Sequence, residues 1–343
     1  MSAAPTPKDT LLRDGTASLY RFRPPAPRQH AAPSLPLLLV PSMINRWNIL
    51  DLRQGASLAD ALRHAGLDTW CLDWGVAEDE DRHLTWEMVV ERLERAIRAI
   101  LRKTGAPKVG LLGYCMGATL AGIAAALNPR KVAALINLAG PFDFAHGGAL
   151  THATNPAWFD AEAIAAAGNV HPAQMQMGFV AMRPTAQLAK WVNFADRAHD
   201  PAFRAAFDAL EAWSSDNIPF PAAAYQTYIT ELYQQNLLVK GQHHVGGRRV
   251  DLGAIDCPLL TVVTDRDTIC PPLAATALND LCASTDKATL TIPGGHVGAV
   301  VGSRAPTHLY PALAQWLVDR LAQPETPALT HPQEPAALSP SPG

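Results

Sequence analysis

Gly113-Tyr114-Cys115-Met116-Gly117 puts a cysteine between glycines two positions before and two after it, inside the stretch Lys108 to Leu127, where an apolar run leads into alanine-rich sequence. A strand that turns this sharply into a helix brings the backbone of the turning residue against its neighbours, so only small residues fit at those flanking positions. The pattern reads as a nucleophile elbow with cysteine in place of serine. A helix starting at Met116 leaves unpaired N–H groups and the positive end of its dipole beside the sulfur, which favours a thiolate. The Met116 N–H is then placed to bind a developing oxyanion. A buried structural cysteine is the competing reading; the apolar run before the pattern and the helix formers after it argue for the elbow.

A nucleophilic cysteine needs a base and a group to orient that base. His296 follows an apolar run, Ala288 to Ile292, on the flexible segment Pro293-Gly294-Gly295, and Asp267 follows another, Leu259 to Val263. Cys115, Asp267 and His296 keep the order nucleophile, acid, histidine, each expected on a loop at the carboxyl end of a strand, which is the arrangement of the α/β-hydrolase fold. Asp267 is the favoured acid because Thr268-Ile269-Cys270-Pro271 turns the chain back toward the sheet after it; Asp265 is the alternative. Asp73 is read as a loop cap. The second oxyanion N–H is expected from Pro41-Ser42-Met43-Ile44-Asn45-Arg46, with Ile44 favoured over Met43. Adjacent His243 and His244 lie in polar sequence without ligand spacing and are expected to be solvated, so no metal site is predicted.

Cysteine rather than serine bears on the reaction. An acyl group on cysteine is a thioester, and exchange from a thioester donor is nearly balanced, which leaves the bound acyl group reactive and suits transfer.

The elements that hold these residues read as an alternation of strands and helices. Leu37 to Val40, Thr69 to Asp73, the elbow strand and Val132 to Leu138 are short apolar runs of the kind buried on both faces of a parallel sheet. Ser57 to Gly66 and Thr85 to Lys103 are helical, and residues 306 to 322 form a closing helix. The fold class is α/β, a mostly parallel sheet flanked by helices. From Pro141 to Asp256 no clear strand is read. So long a connection is expected to be a mainly helical lid, inserted before the acid-bearing strand. The domain reading is a core of residues 18–140 and 257–322, a lid of 141–256, and disordered ends at 1–17 and 323–343, the latter rich in proline.

With 343 residues, 48% hydrophobic and 17% charged, the chain can bury a large core. A net charge of −3 gives no basic footprint for nucleic acid. Five cysteines without a C-x-x-C pair, and no secretory signal, predict reduced thiols and a cytoplasmic protein. No run is long enough to span a membrane.

Taken in order, several segments resemble the polyhydroxyalkanoate synthases, which polymerise (R)-3-hydroxyacyl-CoA into storage polyester. They are Pro41 to Arg46 with Ile49-Leu50-Asp51-Leu52, Asp73-Trp74-Gly75, Gly113 to Gly117, Trp213-Ser214-Ser215-Asp216, Leu232-Tyr233-Gln234-Gln235-Asn236, the Asp267 loop and Gly294-Gly295-His296-Val297-Gly298. The similarity spans about Leu37 to Leu321. It implies that Cys115 carries the growing chain as a thioester, that His296 deprotonates the thiol, and that Asp267 orients His296 or helps activate the 3-hydroxyl. Asn45, Arg46 and Trp213 enter as substrate-binding candidates, and Arg46 with Arg248 and Arg249 as candidates for the CoA phosphates. No separate cofactor is implied, since the CoA thioester is the substrate. The resemblance further implies a homodimer through the lid, a second synthase subunit as for the short members of the family, and a location at polyester granules. Ala118 and Thr268 depart from the pattern, standing where a glycine and a histidine are usual. A cysteine-type acyl-CoA thioesterase or esterase, and a non-catalytic granule protein, are the alternative readings.

Overall fold

The computed structural model describes residues 4–25, 34–182 and 184–322. Eight strands form one sheet: β1 Lys8–Asp14, β2 Ala17–Phe22, β3 Leu37–Val40, β4 Thr69–Asp73, β5 Val109–Tyr114, β6 Val132–Leu138, β7 Leu259–Thr264 and β8 Lys287–Ile292. Their order is β1-β2-β4-β3-β5-β6-β7-β8. From β4 to β8 every neighbour is parallel, while β2 pairs antiparallel with both β1 and β4. Strands β3, β5 and β7 are buried at every residue, as a sheet covered on both faces requires.

Helices cover the two faces. Helix α1 (Leu58–His64) and the closing helix (Tyr310–Leu321) pack together on one side, and α2 (Trp86–Thr104) packs against α3 (Met116–Leu127) on the other. The ends of α1 and α2 follow from their caps. Ser57 accepts from the Asp60 N–H at 2.9 Å and Thr85 from the Met88 N–H at 3.2 Å, and α2 stops at Gly105 in the left-handed region, φ 70°. Helix α3 is buried along all but its last residue, and its alanines and glycines let it lie close to the sheet. The Gly122 position abuts the Phe142 ring.

Between β6 and β7 the described residues leave the sheet through six α-helices: α4 Ala149–Ala153, α5 Ala161–Ala166, α6 Pro172–Met182, α7 Pro184–Arg197, α8 Pro201–Ser215 and α9 Ala222–Thr227. Helix α9 continues as a π-helix over Tyr228–Gln234, and a two-residue hairpin pairs His244–Val245 with Arg248–Arg249. That hairpin is the strand structure the sequence reading did not register in this segment. Trp191, Phe194, Phe203 and Phe207 of α7 and α8 pack as a ring cluster, with Phe194 and Phe207 at 4.4 Å between centroids.

Two expectations are corrected here. Of the end expected to be disordered over 1–17, residues 4–17 are ordered, because β1 runs along the sheet margin from Lys8 and Thr6 anchors to buried Asp51 through its hydroxyl at 2.6 Å. Charged, exposed edge strands carry little apolar period, which hid β1, yet Asp14-Gly15, with Gly15 at φ 60°, is the hairpin signal that could have located it. His243 is not solvated; it is fully buried, paired with Glu231 at 2.8 Å and accepting from the Trp86 indole at 3.2 Å, whereas His244 is exposed. The expected tail at 323–343 lies outside the described residues. Among those residues no helix is long and apolar enough to cross a membrane.

Candidate active site

Cys115 joins β5 to α3 with φ 56° and ψ −130°, a conformation that costs a non-glycine residue about 1–3 kcal/mol and persists only where surrounding structure enforces it. The enforcement is visible at its flanks. A Cβ on Gly113 would lie 2.2 Å from Ala118 Cα, and one on Gly117 would lie 2.0 Å from the Val40 carbonyl oxygen. The methyl of Ala118 is fully buried and faces Gly140, whose missing side chain makes room for it, so this departure from the family pattern is absorbed by packing. Of the five cysteines only Cys115 is not buried. Burial pushes the thiols of Cys71, Cys257 and Cys270 up, Cys257 to about 12, which leaves them poor nucleophiles.

His296 and Asp267 come from the loops after β8 and β7. Asp267 Oδ2 lies 2.7 Å from His296 Nδ1 and accepts from Thr264 Oγ1 at 3.2 Å, while Oδ1 accepts the Ile269 and Cys270 N–H groups, both at 2.9 Å. A carboxylate with these partners fixes a proton on Nδ1 and turns Nε2 toward the elbow. Nε2 is buried and faces the Cys115 sulfur. Burial alone would lower the His296 pKa, but the charge of Cys115 and the hydrogen bond to Asp267 more than offset it and hold the ring at about 10. For Asp267, burial opposes ionisation and is outweighed by His296 and the two loop N–H groups, which keep the carboxyl below its usual range. Tyr114, next to the cysteine in sequence, stacks on the imidazole at 5.3 Å and fixes its plane.

The other acids serve the loops. Asp265 Oδ1 accepts the Gly294 N–H at 2.7 Å and so ties the histidine loop to the acid loop, and Thr268 is exposed. Asp73 accepts from the Gly75 N–H and the Tyr20 hydroxyl, both at 2.9 Å, and the neighbouring Trp74 indole donates to the Pro41 carbonyl at 2.9 Å. The Asp73-Trp74-Gly75 triplet thereby supports the loop that carries Ile44.

A cavity of about 220 Å³ opens at the sulfur. Ile44, Cys115 and Met116 form its floor, and the helical excursion supplies the walls, through Met175 and Phe179 of α6 and the tyrosines of α9 and its π-helical extension. The Met116 N–H is the first of α3 and has no intrahelical partner by geometry. The Ile44 N–H makes only a long contact, 3.4 Å, with Ser42 Oγ, and Met43 is buried in the core.

Asn45, Arg46 and Trp213 do not line the cavity. Trp213 donates its indole N–H to the Arg46 carbonyl at 2.9 Å, Arg46 grips Asp216 with two contacts at 3.0 Å, and the Asn45 amide donates to Asn217. These residues fasten the Ile44 loop to the end of α8, outside the cavity lining. Arg248 and Arg249 reach Glu94 and the Gly241 carbonyl, each at 2.7 Å. Tyr228 and Tyr233 belong to the aromatics between Pro141 and Asp256, some of which were expected to face an acyl pocket, but nothing in the sequence singled them out or showed the stacking role of Tyr114; that Tyr114 adjoins the nucleophile and Tyr233 sits in the Leu232 to Asn236 segment are the signals that point to two of them.

The alpha/beta hydrolase fold family matches residues 36–302. A poly(3-hydroxyalkanoate) polymerase subunit PhaC from Synechocystis sp. is 32% identical over 325 residues, covering 92% of this chain and 85% of the relative. The chain belongs to the PhaC family. The PhaC subunit from Haloferax mediterranei is 31% identical over 93% of this chain, and there the match spans 65% of the relative's length. Among solved structures, a soluble variant of monoglyceride lipase from Saccharomyces cerevisiae in complex with a substrate analog superposes with a TM-score of 0.55 at 15% identity, covering 92% of this PhaC-family chain and 96% of the lipase. That likeness is one of fold.

Proposed function

We propose that the chain is a polyester polymerase subunit that moves (R)-3-hydroxyacyl groups from CoA thioesters through Cys115 onto a growing polyhydroxyalkanoate. The observation that carries this reading is a cysteine at the elbow, beside a buried His296–Asp267 pair and at the floor of an apolar cavity, in a PhaC-family chain. In the first half-reaction the Cys115 sulfur, its proton already held on His296 Nε2, attacks the thioester carbonyl, and the imidazolium gives that proton to the departing CoA sulfur. The Met116 and Ile44 N–H groups receive the oxyanion. In the second, a 3-hydroxyl gives its proton to Nε2 while its oxygen attacks the acyl carbon on Cys115, forming the ester and freeing the sulfur. Asp267 holds the ring and stabilises its charged form throughout. CoA enters as part of the substrate, and no other cofactor has a role in these steps.

The helical excursion acts as the lid over the acyl cavity and, in this reading, as the face for a second copy or a second synthase subunit, with the assembly at the polymer surface. The test is to give purified protein (R)-3-hydroxybutyryl-CoA, with Cys115→Ala as control, and follow free CoA and the size of the acyl product. Cys115-dependent CoA release with high-mass polyester is the expected result. Release with only free 3-hydroxybutyrate would make the chain a thioesterase, and CoA release that survives the substitution would remove Cys115 from the chemistry.

A further inference from the structure

An α-helix places residues five apart on different faces, but a π-helix, with its i to i+5 hydrogen bonds, brings them nearly over one another. Helix α9 widens in this way over Tyr228–Gln234, where the Gln235 N–H reaches the Thr230 carbonyl at 2.9 Å. The widening puts Tyr228 and Tyr233 on one face, their rings 5.4 Å apart at 75°. Both rings line the cavity at Cys115, and beyond the effect of burial the cysteine's charge reaches both phenols. Tyr225 lines the same cavity from the α-helical part but responds to burial alone.

The rest of the wall offers little polarity near the sulfur. Thr154 donates to the Leu150 carbonyl at 2.8 Å, and Gln174 Oε1 accepts the His171 N–H at 3.1 Å. Two phenols have two donors and four lone pairs between them; even a mutual hydrogen bond would leave one donor and several lone pairs free. That combination matches an alcohol, which gives one hydrogen bond and accepts others. In an acyl group joined to Cys115 through its carbonyl carbon, an alcohol two carbons along falls close to the sulfur but not on it.

We propose that the Tyr228–Tyr233 hydroxyl pair, presented by the π-helix, binds the 3-hydroxyl of the acyl group at Cys115 and selects 3-hydroxyacyl over plain acyl thioesters. This deepens the polymerase reading and rests on it. A buried site built around a substrate hydroxyl discriminates strongly against the analogue that lacks it, because its polar groups are then left unpaired.

The experiment measures single-turnover formation of the Cys115 adduct by intact mass, using (R)-3-hydroxybutyryl-CoA and butyryl-CoA in parallel. The chain is compared with Tyr228→Phe, Tyr233→Phe and, as control, Tyr225→Phe, each checked for an unchanged unfolding midpoint. The unsubstituted chain should favour the hydroxy thioester at least tenfold. Tyr228→Phe and Tyr233→Phe should each cut that preference about tenfold by slowing the hydroxy substrate while leaving butyryl transfer within twofold, and Tyr225→Phe should keep the full preference. Equal slowing of both thioesters, or an unchanged ratio in all variants, would overturn the inference alone. No Cys115 adduct from either thioester in the unsubstituted chain would overturn the polymerase reading and this inference with it.

Discussion

Tyr114 lies against His296 with ring centroids 5.3 Å apart and planes 28° from parallel, so the residue preceding the elbow cysteine also fixes the imidazole beside it. The tyrosine ends β5 and is buried, and its hydroxyl makes only a long contact, 3.4 Å, with the His296 carbonyl. Its contribution is therefore the ring. Tyr114→Phe should leave the rate of CoA release within about twofold. Tyr114→Leu, which removes the stacking face, should lower kcat about tenfold with KM little changed; steady-state kinetics of the two variants checks this.

The acid can be separated from its neighbour two residues before it. Asp267→Asn keeps the shape of the side chain but offers the ring an amide that stabilises the wrong tautomer and no longer supports the charged form. CoA release should fall roughly a thousandfold or more. Asp265→Asn touches the Gly294 N–H and the Arg266 guanidinium but not the ring, and should cost less than about tenfold. Equal losses in the two variants would contradict the assignment of Asp267.

Titration gives a test with a sign. The raised His296 pKa stabilises the fold fully below pH 6.5, and that contribution disappears as pH rises toward about 10. The lowered Asp267 pKa acts on the acid side, present above pH 3.8 and lost as pH falls through the depressed folded value. Removing the sulfur in Cys115→Ala leaves burial opposed mainly by Asp267, so the His296 midpoint should move below 10, and the alkaline loss of stability, which still begins near pH 6.5, should end earlier and be smaller. NMR of the imidazole and unfolding midpoints from pH 6 to 10 read both effects; an unmoved midpoint would show that Cys115 does not face the ring.

The elbow makes a stability prediction. A methyl on Gly117 meets the Val40 carbonyl oxygen, a backbone atom that cannot swing aside. Gly117→Ala should destabilise by about 3 kcal/mol or more in chemical unfolding. At Gly105 nothing crowds a Cβ, and only its left-handed φ opposes a side chain, so Gly105→Ala should cost about 1 kcal/mol.

The tie between the Ile44 loop and α8 can be cut in two ways. The Arg46–Asp216 pair is solvent-exposed on the acid side, 59% for Asp216, and Asp216→Ala should cost under about 1 kcal/mol. Trp213→Phe removes the buried indole donor to the Arg46 carbonyl and should cost about 1–3 kcal/mol. Acylation by a CoA thioester should slow more in Trp213→Phe than in Asp216→Ala, since the same loop carries the proposed second oxyanion N–H.

Much of the core was legible because its signals are local. Leu37–Val40, Thr69–Asp73 and Val132–Leu138 are continuous apolar runs, and a strand buried on both faces has no other way to be written. The elbow was legible for the same reason, since the need for Gly113 and Gly117 arises within five residues. Strand β1 escaped because an edge strand has one side in water and carries Lys8, Asp9, Arg13 and Asp14. His243 escaped because its partners, Trp86 and Glu231, come from distant helices, and sequence adjacency to polar residues says nothing about them.

By itself, then, the sequence determined the succession along the chain of the parallel strands from Leu37 onward, the sharp turn at Cys115 and the loops on which Asp267 and His296 would stand, because each depends on residues close together in the chain. Only the tertiary structure decided that Asp267 rather than Asp265 meets the imidazole, and that Asn45, Arg46 and Trp213 brace a loop instead of lining the cavity. It also decided that a π-helical turn presents Tyr228 and Tyr233 to the sulfur. In each case the outcome depends on which side chains distant segments bring within hydrogen-bonding range, and for the two aspartates, two positions apart, on which one the packing of β7 and β8 turns inward.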